Sequence, residues 1–111
     1  MNFVDMLEGK IAIFEMSGKL MGGDDATMLY GRIREYINNN IKNIVLDMAK
    51  VDWINSVGVG MLISAMTTTR NAGGRFVLAN ITNVKSILTM TRLIAVFDHY
   101  DSRAEAIKSF K

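Results

Sequence analysis

The residues best placed to act on something outside the chain surround Ser56, in the stretch Val51-Asp-Trp-Ile-Asn-Ser-Val-Gly-Val-Gly60. Here a loop gives way to a helical pattern. Serine at such a junction is a good N-cap, because its oxygen accepts a bond from an amide two or three residues on. The amides of Val57, Gly58 and Val59 otherwise lack partners, and with the helix dipole they favour an anion at this point. Gly58 and Gly60 fall in the first turn, where each costs up to about 1 kcal/mol relative to alanine. A sequence that accepts this twice needs backbone close to something, either the neighbouring sheet or an outside partner. The pair is not a nucleotide fingerprint, since no third glycine follows at the right spacing and no P-loop lysine follows either.

The same helix carries a second clue. Val59, Leu62, Ile63 and Met66 form one apolar face suited to a core. Val57 and Met61, four residues apart, run along another line. With Ser56 they predict a small apolar patch beside an anion-friendly helix end, the kind of surface a protein partner uses.

Other candidate chemistry is sparse. His99 is the only histidine, near Asp98 and Asp101, and no nucleophile or second base is placed with it, so a surface histidine at a strand end is expected. Asp47 and Asp52 flank the Ser56 loop; the first is expected to end a strand and the second to bond loop backbone. The chain has no cysteine, which excludes disulfides, thiolate metal sites and cysteine nucleophiles. No ligands stand at metal-binding spacing. Neither an enzyme nor a cofactor is expected.

These residues must be positioned by a small fold. At 111 residues, half of them apolar, a chain buries on the order of two-thirds of its unfolded surface, enough for one core. No repeat, linker or proline interrupts it, so residues 1–111 read as one domain. Lys10 to Ser17 is a strand pattern, paired with residues 3–7 across a turn at Glu8-Gly9. Gly18 to Gly23 reads as a loop, after which Asp24 or Asp25 can cap a helix with apolar positions Ala26, Leu29, Tyr30, Ile33 and Ile37. Asn43 to Met48 is a continuous apolar run with one charge, the look of a strand covered on both faces. A helix over about Ser56 to Asn71 then stops at Gly73-Gly74. Arg75 to Ala79 is the next strand, Val84, Ile87, Leu88 and Thr91 mark a third helix, and Ala95-Val-Phe97 a short last strand. Ser102-Arg-Ala-Glu105 has the form of a capping box before a final helix. This alternation predicts an α/β fold: a mixed, mostly parallel sheet with about four helices and an antiparallel hairpin at one side. Ser56 would then lie at the carboxyl edge of the strands, where partners tend to bind.

Charge narrows the partners. The net charge is +2 and the basic residues are scattered, without the one-faced clustering of a nucleic-acid binder. The longest uncharged apolar stretch, Trp53 to Thr69, is interrupted by Asn55, Ser56, Gly58, Gly60 and three threonines, whereas a membrane span wants about 20 predominantly apolar residues. No positively charged start leads into an apolar run, so no signal peptide is expected. A cytoplasmic location with no membrane contact follows as the expectation.

At these residues the sequence resembles a known family. Ile44-Val-Leu-Asp-Met-Ala-Lys-Val-Asp-Trp-Ile-Asn-Ser-Val-Gly-Val-Gly-Met-Leu62 is similar to the signature of the STAS domain, in particular the bacterial anti-sigma factor antagonists. Gly18-Lys-Leu20, Gly73-Gly74 and the helix-strand-helix tail match in the same order. The resemblance implies a STAS-like fold and a partner switch. The serine matching Ser56 is phosphorylated by an anti-sigma factor with serine kinase activity; the unphosphorylated form captures that partner, and a serine phosphatase would reset the switch. It implies a partner-binding surface of Asn55, Ser56, Val57, Gly58, Met61, Met21 and Asp24. Two positions differ from the family pattern: Asn55 where aspartate is common, and Met21 in a loop that commonly carries aspartate, leaving Asp24 or Asp25 to supply that charge. The alternative implied is a STAS interaction subunit, not phosphorylated, in a larger signalling or lipid-transport assembly.

Overall fold

Period-two and period-3.6 apolar patterns alternate along this chain, and the computed structural model, which describes residues 1–111, folds them in that order. The elements are β1 (Asn2–Glu8), β2 (Ile11–Leu20), α1 (Asp24–Asn38), β3 (Asn43–Ile54), α2 (Ser56–Asn71), β4 (Arg75–Ala79), α3 (Lys85–Met90), β5 (Asp98–Tyr100) and α4 (Arg103–Lys108). The five strands form one sheet in sequence order. β1 pairs antiparallel with β2, and every later neighbour is parallel, because each crossover helix must return the chain to the same end of the sheet.

The sheet is covered unequally. Ala12, Phe14, Ile44, Leu46, Phe76 and Leu78 alternate onto one face and bury against α1, α2 and the Val84–Leu88 segment. Ile11, Ile13, Val45, Val77 and Ala79 line the other face and meet only Ala106 of α4 and its partly buried neighbours Tyr100, Ile107 and Phe110. Two covered faces explain the unbroken apolar run of β3. Two arginines pin α4 in place. The Arg103 Nε donates to Asp47 Oδ2 at 2.8 Å and Nη2 to Glu15 Oε2 at 2.6 Å; Arg75 donates to the carbonyl and hydroxyl oxygens of Ser109 and lies over the Phe110 ring.

Several expected boundaries move. β2 continues through Gly18 to Leu20, and β3 runs six residues beyond Met48 to Ile54, because the two strands go on pairing past the end of β4 up to Leu20 opposite Ile54. Asp47 therefore does not end a strand; it is buried within β3, bonded to Arg103, to the Asn80 side chain and to the Ala49 amide. The last strand is Asp98–Tyr100 and not residues 95–97. Phe97 is buried in the core while Ala95 and Val96 stay exposed, and it is the backbone of 98–100 that pairs with β4. Neither Asp24 nor Asp25 caps α1: the N-cap is Gly23 with no side-chain cap bond, and both acids lie in the first turn. Their charge still suits that end of the helix dipole, and Asp25 also pairs with the Met1 ammonium at 3.2 Å. Ser102 does cap α4, its hydroxyl accepting from the Glu105 amide at 3.1 Å. No helix is long and apolar enough to cross a membrane.

Candidate functional site

Past the end of β4, β2 and β3 project as a two-stranded parallel ribbon whose tip leads into α2. Its register shifts twice, between Glu15 and Ser17 and between Gly18 and Lys19, so β3 carries an extra residue at each point. A bulge of this kind re-aims side chains. Val51 and Ile54 are buried, whereas the adjacent Asp52 and Trp53 are both exposed, which strict alternation would not allow. Asp52 accordingly faces outward and lines the surface rather than bonding loop backbone. The free side of the ribbon is closed by Asn83, whose Nδ2 donates to the carbonyls of Ala49 and Val51.

The ribbon ends where the Asn55 amide donates to the Leu20 carbonyl at 3.3 Å. Asn55, in extended backbone, is the N-cap of α2, and its Oδ1 accepts from the Gly58 amide at 2.8 Å. Ser56 is thus not the cap but the first helical residue, and it is exposed. Asn55 and serine are near-equal cap formers; the last ribbon hydrogen bond decides between them. With Gly58 held by the cap and Val59 by the Asn55 carbonyl, the amides of Ser56 and Val57 are the ones that helix geometry leaves open.

The expected partner residues separate into two groups. Asn55, Ser56, Val57, Met21 and Asp24 are at the surface around this helix end, with Met21 50% and Val57 59% exposed. Met21 and Val57 belong to one surface, for a Cβ placed on Gly22 would stand 2.6 Å from Val57 Cγ1. Met61 does not join them. It is 3% exposed and lies in the core, because α1 packs over the middle of α2, where the Tyr30 hydroxyl donates to the Met61 carbonyl. The expected Val57/Met61 patch is corrected to Val57 with Met21. Gly58 is also buried, and a Cβ there would collide with the Leu20 carbonyl and meet Ile54 Cγ1 at 2.8 Å. Its glycine serves close packing of the helix on the ribbon, not access by a partner, whereas Gly60 faces open space.

Trp53, 47% exposed, and Met90, 82% exposed, extend the same edge and were not among the expected site residues. An aromatic just before the Asn55-Ser56 junction was the available signal for Trp53, but the register shift that precedes it, between Val51 and Trp53, is tertiary. His99 pairs with Leu78 in β5 and is partly buried. No three acidic or histidine side chains come together in a way that would hold a metal ion.

A family model described as the STAS domain matches residues 7–106. A Thermotoga neapolitana protein classed by homology as an anti-sigma factor antagonist is 27% identical over 75 residues, which cover 67% of this chain and 66% of that protein, just under two-thirds of its length. The crystal structure of a Thermotoga maritima protein assigned to the same class superposes with a TM-score of 0.81 at 22% identity, over 96% of this chain and 92% of that one. The Bacillus cell fate determinant SpoIIAA in its phosphorylated form superposes with a TM-score of 0.73 at 18% identity, covering 99% and 100% of the two chains. Such distant structural likenesses establish the shared fold.

Proposed function

The chain belongs to the STAS domain family, and from that premise we propose that it is an anti-sigma factor antagonist whose hold on its partner is set by phosphate on Ser56. The unmodified form binds an anti-sigma factor that is also a serine kinase; modification releases it. One observation carries this reading: Asn55 makes the cap bond, so the Ser56 hydroxyl sits exposed at the first residue of a 16-residue helix with no capping duty.

The chemistry follows from that position. The γ-phosphoryl group of ATP passes to Ser56 Oγ; the new O–P bond forms as the bond to ADP breaks, and the hydroxyl proton goes to a base on the kinase. The product carries roughly −1.5 to −2 charges beside the open amides of Ser56 and Val57 and at the positive end of the helix dipole. The same charge stands next to the apolar Val57 and Met21 side chains, both exposed, and makes their burial against a partner unfavourable. Coupling of about 1–3 kcal/mol is enough for a useful switch.

The chain needs no catalytic group of its own for this role, since the kinase supplies ATP, base and metal. The measurement that tests the reading is intact mass after incubation with a purified kinase-type anti-sigma factor and ATP. Addition of one phosphoryl group to the wild type and none to Ser56→Ala is the expected result. A stable complex that never gains phosphate overturns the switch and selects the interaction-subunit alternative.

A further inference from the structure

Trp53 stands on a ridge between two surface grooves. We infer that it is the anchor of the partner interface, received by an apolar segment of the anti-sigma factor that also brings a basic side chain to Asp52. The inference rests on the reading of the Ser56 surface above and deepens it by naming the chemistry of the partner's contact.

On one side of the ridge, a groove of about 440 Å³ is lined by Lys19, Met21, Asp52 and Trp53. On the other, a groove of about 270 Å³ runs between the ribbon and α3, with Trp53, Ile54, Val84, Ile87 and Met90 along its walls. Single exposed apolar side chains are ordinary, but here Met21, Trp53, Val57 and Met90 are all exposed along the carboxyl edge of one sheet, rimmed by polar groups, which is the pattern of an interaction surface. The Ser56 helix end is continuous with it through the close approach of Gly22 to Val57. Tryptophan at such a place offers large area at low entropic cost, the property that makes it frequent among energetic anchors.

Charge specifies the occupant. Asp52 lines both grooves and takes part in none of the chain's ion pairs. Lys50, the nearest cation along the strand, is held by Glu15 at 2.7 Å. Lys19 shares the first groove with Asp52, but no cation lines the second, so an apolar occupant there would cover the carboxylate without compensation. A basic side chain on the occupant removes that cost.

Trp53 is the only tryptophan, so fluorotryptophan incorporated into this chain gives a single fluorine NMR resonance. Titration with the purified, unlabelled kinase-type anti-sigma factor of the same organism is expected to shift that resonance in step with binding measured by calorimetry. Trp53→Ala is expected to weaken binding by about thirtyfold and Asp52→Lys by about tenfold, both with unchanged melting temperature. A complex that forms while the resonance stays in place, or that Trp53→Ala forms as tightly as wild type, overturns the inference and leaves the Ser56 reading standing. Absence of any complex overturns both. A resonance that shifts with this chain's own concentration assigns the ridge to self-association and also overturns it.

Discussion

The side-chain oxygen of Asn55 accepts the Gly58 amide at 2.8 Å, and this bond relieves Ser56 of any structural task. Capping and signalling are divided between neighbouring residues. Asn55→Ala is therefore expected to lower stability by about 1 kcal/mol, whereas Ser56→Ala leaves it within about 0.5 kcal/mol. Denaturant unfolding of the two variants checks this, and a larger loss for Ser56→Ala would return the cap to serine.

Binding should follow the opposite order. Ser56→Ala is expected to hold the partner whether or not ATP is present, and Ser56→Asp to bind about 5–150-fold more weakly. Calorimetric titration of both against one partner preparation gives the comparison. Equal affinity for the two removes Ser56 from the mechanism.

The glycines of α2 should part company. Gly58→Ala drives a Cβ into the Leu20 carbonyl, and is expected to cost about 1–3 kcal/mol by overpacking. Gly60→Ala meets open space and is expected to stabilise by up to about 1 kcal/mol through helix propensity. Thermal melts of the two variants should move in opposite directions.

Arg103 links the buried Asp47 to Glu15 and so ties α4 to the second face of the sheet. Arg103→Ala leaves Asp47 bonded only to Asn80 and the Ala49 amide, at an expected cost of about 2 kcal/mol. Asp47→Asn combined with Arg103→Ala is expected to cost less than the sum of the single changes, and a double-mutant cycle by denaturant unfolding measures the difference.

Acid should loosen the same corner. Hydrogen bonds from Lys50 first, then Arg103, hold the Glu15 carboxyl below its ordinary value of 4.5. A carboxyl lowered on folding adds stability that is present above its unfolded value and lost as pH falls through the folded one. Stability is thus expected to decline below about pH 4.5, and less steeply in Glu15→Gln. Melting temperature across pH 3 to 6, roughly the range in which carboxylates titrate, reads the two slopes.

Much of this protein was legible in one dimension. Apolar periodicity sufficed for the order of strands and helices, for the sidedness of α1 and for the covered character of β3, because burial on a regular element repeats at its own period. The Ser102 cap was equally local. What periodicity could not decide was which stretch of a regular element a neighbour covers. Val57 and Met61 share one line of α2, yet one is exposed and the other buried, since α1 lies over the middle of the helix and not over its start. Nor could propensity choose between Asn55 and Ser56 as cap, or see that bulges would turn both Asp52 and Trp53 outward; the pairing of β2 with β3 decided each. The three-residue β5 was placed by its bonds to β4 rather than by its own composition. Side-chain type and spacing are local quantities, so the sequence determined the elements and marked Ser56. Contact between distant segments is not local, and only the tertiary structure decided what surrounds it.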